Sequence, residues 1–247
     1  MSLQPPPHIA ILIPLYNGVE YFPQALKSVI SQTVPHTLWE LIIGINGHIP
    51  NSPTYQKVLE EIAITVPLHL RNQIRVFDLC IIPNPPKGKS QTLNLLTTAA
   101  HPMVQWIALL DVDDIWLSTK LQNQLPYIYM HRASPAYDVI GTQCDYINVR
   151  GELMGTFPTI PLGDISNISF KAVNPIINSS VLIRRELAYW DPKWDGVEDY
   201  ELWIRLRSQN ARFFNCSEHA VLHRIHPSSA FNGTSLQQSK LLTLLTS

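Results

Sequence analysis

Three carboxylates crowd into Asp111-Val112-Asp113-Asp114, directly after the apolar run WIALL. Ionised side by side at the end of a strand, they raise one another's pKa unless a cation sits among them. A hard divalent ion relieves that repulsion, and Mg2+ or Mn2+ held by one or two carboxylates takes its other ligands from phosphates and water. The spacing therefore points to a divalent-ion site. The competing reading is an acidic helix start, because Asp caps helices and suits the positive end of the dipole. A cap accounts for one of these residues, at most two.

A second acidic group lies at Asp195-Gly196-Val197-Glu198-Asp199, entering the helical pattern EDYELWIRLRSQ. Asp195 and Glu198 have capping-box spacing, which explains both without chemistry. Asp199 is left over, and a carboxylate in the first turn of a helix facing a cleft suits a general base. His223-Arg224-Ile225-His226 follows an apolar run, so His226 is a candidate metal ligand or phosphate donor, against the plainer reading of a structural histidine. Gly88-Lys89-Ser90 has the look of a P-loop tail, but the glycine the full motif needs is replaced by Pro83, which also lacks a backbone donor. Lys87 and Lys89 then read as a basic turn toward a diphosphate, or as solvated surface.

The elements that must carry these groups follow from periodicity. IAILIPL (9–15) is continuously apolar, as a strand buried on both faces is. Helical spacing follows over 21–33, a strand over 39–46, a helix over 53–65, a strand over 74–79, a helix over 89–100 and a strand over 106–111. Four β–α alternations predict a doubly wound parallel sheet, with ligands beyond the carboxyl ends of the strands. Those ends carry Asn17, Asn46 and Asp111–Asp114. Beyond them the pattern is mixed: a helix over 117–131, strands over 137–147, 178–185 and 220–225, helices over 198–209 and 235–246. This half is expected to complete the same sheet.

Composition bounds the function. The 247 residues carry a net charge of −1 and 15% charged side chains, so no strong field attracts nucleic acid. Hydrophobic residues make up 45%, which excludes a disordered chain. Cys80, Cys144 and Cys216 form no CxxC pair and read as small buried apolar residues in a reducing compartment. The N-terminal segment lacks the basic region and apolar length of a signal peptide, and no run is long enough to span a bilayer. The expectation is a soluble, cytoplasmic protein, or one of host cytosol or virion were the chain viral.

Taken in order, these segments resemble the family 2 glycosyltransferases of the GT-A fold, over about residues 8–230. Ile13-Pro14-Leu15-Tyr16-Asn17 resembles that family's first strand and loop, and Gln24 to Thr33 its first helix. Lys87-Gly88-Lys89 to Asn94 falls where the family carries a Gly and an Asn. Leu109 to Trp116 is similar to its DxD motif, Asn178 to Arg185 to the strand lining the acceptor side, Glu198-Asp199 to its ED motif and Arg224-Ile225-His226 to its closing R-x-H. One turn departs: Ile45-Asn46-Gly47-His48 stands where the family has acidic residues reading the base and ribose.

The resemblance implies an α/β, Rossmann-like GT-A fold with a mixed, mostly parallel central sheet flanked by helices. It implies one domain, with a nucleotide-sugar-binding half (8–114), an acceptor-binding and catalytic half (115–230) and a tail helix (231–247). The implied reaction is inverting, metal-dependent transfer of a sugar from a nucleotide-diphosphate sugar to the hydroxyl of a glycan, protein or lipid-linked acceptor. Pro14, Tyr16, Asn17, Asn46, Lys87, Lys89, Asn94, Asp111, Val112 and Asp113 would bind the donor. Asp111, Asp113 and His226 would hold Mn2+ or Mg2+. Asp199 would be the base, with Glu198 the fallback. Two rivals are a haloacid-dehalogenase-type phosphohydrolase, which also ends a strand in D-x-D, and a silent sugar-nucleotide-binding module of the same fold.

Overall fold

A computed structural model of the chain describes residues 8–79, 88–129, 137–155, 160–171, 174–227 and 235–246. Strand β1 (Ile9–Leu15) is its spine, and its alternate side chains feed two cores. Ile9, Ile11, Ile13 and Leu15 pack with Phe22, Leu26 and Val29 of α1 (Phe22–Ile30) and Val58 of α2 (Pro53–Thr65). Ala10 and Leu12 pack on the other face with Leu93 and Leu96 of α3 (Lys89–Ala99) and Leu202, Trp203 and Leu206 of α5 (Glu198–Ser208). Burial on both faces is why β1 reads as an unbroken apolar run.

Strands β2 (Trp39–Ile45), β3 (Ile74–Asp78) and β4 (Trp106–Leu109) join β1 in parallel, in the order β3-β2-β1-β4. The sheet then continues as β8 (Leu182–Arg184), β6 (Val139–Ile147), β9 (Phe213–Arg224) and β5 (Ile115–Trp116), with β7 (Gly163–Asp164) also on β9. β8 runs antiparallel to both neighbours, while β6 and β9 pair in parallel over a long register. The long pairings are parallel and the antiparallel ones short. Helices α4 (Lys120–Tyr129) and α6 (Ser235–Thr246) complete the set. The expected mixed, mostly parallel sheet flanked by helices is what the chain forms, and its second half completes the first half's sheet.

Three elements differ from expectation. β4 stops at Leu109, so Asp111 stands in the turn beyond the strand. The predicted strand 178–185 is a 3-10 turn, Asn178–Ser180, before the short β8, because Ser180 Oγ donates back to Ile177 O and Asn178 turns toward the site. β9 starts seven residues before the apolar run at 220. Its polar stretch Ser217–His219 is exposed, next to a register shift against β6, which hid the strand from the periodicity. Among the described residues no helix is long and apolar enough to cross a membrane.

Candidate active site

The carboxyl ends of β1, β2 and β4 lie side by side. Pro14 is the half-buried penultimate residue of β1, and Tyr16 and Asn17 follow it, exposed. Asn46 is buried just past β2 and donates its N–H to Leu15 O at 2.8 Å. His48 Nε2 lies 2.6 Å from Tyr16 O, tying the two loops together. Gly18 has φ +76°, and a Cβ there would sit 3.2 Å from Cγ1 of the buried Val112, so the β1 loop and the acidic turn pack edge to edge. Pro14, Tyr16, Asn17, Asn46 and Val112 thus share one rim.

The three aspartates of the turn have separate partners. Asp114 is buried, accepting from Arg224 N at 2.8 Å and facing His223 Nδ1 at 3.0 Å. Burial lowers the pKa of His223, but the Asp114 charge outweighs it and pushes the imidazole up to about 9. Arg224 is itself buried; its Nε donates to Asp113 O, Nη1 to Asn148 O and Nη2 to Gln24 Oε1, at 2.8, 2.9 and 2.6 Å. One guanidinium thereby fixes the backbone of the acidic turn to α1 and to the loop after β6. Asp113 turns the other way, with His226 Nε2 at 2.8 Å from its Oδ2, and His226 rests against the ring of Tyr21.

Asp111 meets the acidic helix through a lysine. Lys89 Nζ lies 2.7 Å from Asp111 Oδ1 and 3.5 Å from Glu198 Oε1. Burial works to lower the pKa of Lys89, but the Asp111 and Glu198 charges outweigh it, so the ammonium stays charged. Burial likewise pushes Asp111 up, and Lys89 with the Asn178 amide, 2.9 Å from Oδ2, brings it below the usual carboxylate range. Glu198 is buried and also accepts from Gly196 N at 2.6 Å. Asp199 keeps part of its surface accessible; burial raises its pKa against the pull of Lys89, and Asn174 Nδ2 donates to its Oδ2 at 3.2 Å.

The anticipated capping box between Asp195 and Glu198 is not made. The residue before helix α5, Val197, offers no side-chain cap, and Asp195 Oδ1 instead accepts from Ser90 N at 2.8 Å, capping α3 from across the site. A Cβ on Gly88 would fall 1.6 Å from Asp195 Oδ2, so the glycine is what allows this approach. Asn94 faces the other way, clasping the backbone of Trp190 with both ends of its amide at 2.7 and 3.0 Å. A shallow depression of about 300 Å³ by Gln91, Asn94, Leu95 and Thr98 lies on α3, away from the carboxylates. Lys87 and Cys80 lie outside the described residues; Cys144 and Cys216 are free thiols.

The donor set suits a hard divalent cation. Carboxylate oxygen is ordinary Mn2+ or Mg2+ chemistry, and an imidazole nitrogen beside it is the softer ligand, better suited to Mn2+ than to Mg2+. Burial, then the charges of Asp114 and Asp111, push the pKa of Asp113 up. Among the described residues no three His, Cys, Asp or Glu side chains converge on one point. Asp113 Oδ2 and His226 Nε2, 2.8 Å apart, could be ligands to one cation, with phosphate and water in the other positions.

Asn178 and Arg224 enter the sequence reading only through the resemblance, as the start of the acceptor-side strand and the first residue of the R-x-H motif, while Asn174 is not signalled, because it acts through an amide that neither spacing nor charge marks out.

Residues 10–188 match the sequence model of Glycosyl transferase family 2. The chain is 27% identical over 222 residues to UDP-Glc:alpha-D-GlcNAc-diphosphoundecaprenol beta-1,3-glucosyltransferase WfgD of Escherichia coli, covering 90% of this chain and 78% of that protein. It is 24% identical over 225 residues to an uncharacterised glycosyltransferase of Methanocaldococcus jannaschii, covering 89% and 71%. Among solved structures, S. aureus TarS 1–349 in complex with UDP-GlcNAc superposes with a TM-score of 0.69 at 16% identity, over 96% of this chain and 64% of that one. The mannosyltransferase PcManGT from Pyrobaculum calidifontis, in complex with GDP-Man and Mn2+, superposes with a TM-score of 0.64 at 12% identity, over 92% and 59%. The chain thus spans less than two thirds of either solved chain.

Proposed function

The chain belongs to glycosyl transferase family 2 and is a glycosyltransferase, and from that premise we propose that it transfers one sugar, with inversion and with a divalent cation, from a nucleoside-diphosphate sugar to an acceptor hydroxyl. The observation that carries this reading is the convergence of two acidic groups on Lys89: Asp111 of the metal-side turn at 2.7 Å and Glu198 of the α5 start at 3.5 Å. Donor-side and acceptor-side chemistry would then meet in one place. The similarity to proteins named for UDP-Glc, UDP-GlcNAc and GDP-Man supports the donor class. Residues 8–114 serve as the donor half, 115–230 as the acceptor half and 231–247 as a tail.

In this reading Asp113 and His226 hold Mn2+ or Mg2+, with the charge of Asp111 beside them. Such an ion, when bound, supplies Lewis-acid neutralisation of the leaving diphosphate. Pro14, Tyr16, Asn17, Asn46 and Val112 form the rim that receives the nucleotide, and Lys89 adds a fixed positive charge. Asp199 is the base: burial raises the pKa of both carboxyls, but Glu198 is buried and bound to Gly196 N and Lys89, whereas Asp199 keeps part of its surface accessible. It accepts the proton of the acceptor hydroxyl as that oxygen bonds to the anomeric carbon. The bond to the diphosphate oxygen breaks on the opposite face, and its electron pair leaves with the diphosphate. Asn94, committed to Trp190, shapes the wall and does not bind donor.

A haloacid-dehalogenase-type reaction would need Asp111 as a nucleophile, and its pairing with Lys89 and Asn178 together with the family membership argues against that. The test is the anomeric configuration of product formed from α-linked UDP-glucose with Mn2+ and a panel of methyl glycosides. A β-linked product supports the proposal; an α-linked product contradicts it.

A further inference from the structure

Resting on the reading of Asp199 as the base, we propose that Asn174 is its positioning residue, an amide that holds the carboxyl against the backbone of residues 174–178 in the acceptor half. Asn174 Nδ2 donates to Asp199 Oδ2 at 3.2 Å. The amide orientation is set from its other end, where Oδ1 accepts from Ile176 N at 3.4 Å, a role the nitrogen cannot fill.

The residue after Asn174 is tied to the sheet. Pro175 O accepts from Asn215 Nδ2 of β9 at 2.8 Å, and Asn215 is buried. A Cβ on Gly141 would lie 2.2 Å from Asn215 Oδ1, so Gly141 makes the room. Upstream, Phe170 O accepts from the hydroxyl of Tyr200, the residue after Asp199. Asn174 is therefore referenced to the sheet through Pro175. Four residues on, Asn178 donates to Asp111 Oδ2 at 2.9 Å, so one segment holds a carboxylate from each acidic group.

A neutral donor is the fitting choice. A second cation beside Asp199 would depress its basicity, whereas an amide orients the carboxylate at a smaller cost. The charged and titratable groups facing Asp199 are Lys89 of α3, Asp111 of the acidic turn, and its own neighbours Glu198 and Tyr200.

The experiment follows the Asp199 carboxyl directly, by carbon NMR of protein labelled at aspartate Cγ, with the resonance assigned by its loss in Asp199→Asn. In Asn174→Ala, and more so in the near-isosteric Asn174→Asp, Asp199 is expected to titrate about one pH unit higher. UDP release from UDP-glucose with Mn2+ is followed in parallel: kcat at pH 6 should fall about tenfold with KM unchanged. Asn174→Ala should add nothing in an Asp199→Asn background. An Asp199 titration identical in wild type and both variants overturns the role of Asn174, whatever the activity. Full turnover by Asp199→Asn overturns instead the reading of Asp199 as base, and the role of Asn174 with it.

Discussion

Lys89 Nζ lies 2.7 Å from Oδ1 of Asp111, joining the first residue of one helix to the acidic turn beyond the next strand. The same ammonium also neutralises the buried Glu198. Lys89→Ala should therefore destabilise the protein by about 1–3 kcal/mol, the cost of stranding a buried polar group. The loss has a pH sign. The pKa of Glu198 is raised by burial even with Lys89 present. A carboxyl raised in the fold binds more protons there than when unfolded, so its contribution is complete below the ordinary value of 4.5 and is lost as pH rises through the folded value. Without Lys89 that loss deepens. Urea unfolding of Lys89→Ala should show a deficit that grows from pH 5 to pH 8.

The cap that α3 receives from Asp195 makes Gly88 intolerant of a side chain. Gly88→Ala places a Cβ on Asp195 Oδ2, and Asp195→Ala removes the cap on Ser90 N. Asp195→Ala alone should cost about 1 kcal/mol. Gly88→Ala should cost more in wild type than in the Asp195→Ala background, because the clash partner is then gone. Chemical denaturation of the four proteins in this cycle measures the coupling.

With Asp199 as the proposed general base, its ionisation sets the acid limb of activity. Asp199 has a pKa raised above the ordinary 3.8, and it must be ionised to accept a proton. kcat/KM should therefore fall as pH drops, with an apparent midpoint above that of an ordinary aspartate. Asp199→Asn should lose about 10²–10⁴-fold in kcat with donor binding kept.

Arg224 spreads three nitrogens over Asp113, Asn148 and Gln24, a geometry that lysine lacks. Arg224→Lys should lower stability by about 2–3 kcal/mol, two or more bonds from a buried guanidinium to part-buried oxygens being lost. Thermal unfolding in the absence of ligand reads this directly.

The donor half is the more legible in the sequence. β1 and α2 match their patterns to the residue, and β2, β3 and α3 within a residue or two, because two-faced burial and helical spacing act locally. The acceptor half is less so. β9 is polar where it bulges, β5 is two residues long, and the Asn178–Ser180 turn bends because of bonds to distant partners. The same division runs through the site. Carboxylates advertise themselves by charge and spacing, and Asp111, Asp113, Glu198 and Asp199 all lie on the site that Lys89 and His226 complete. What Asp195 caps, what Asn94 clasps and which amides orient the acids depend on contacts across 25 to 105 residues, which no local pattern contains.

The central claim is that Asp113 and His226 form the protein side of a cation site shared with the donor diphosphate. Calorimetric titration of Mn2+ into protein saturated with UDP tests it most directly. Wild type is expected to bind one Mn2+ equivalent, and Asp113→Ala and His226→Ala to lose that binding at least tenfold while remaining folded. Equal Mn2+ affinity in all three proteins would contradict the account.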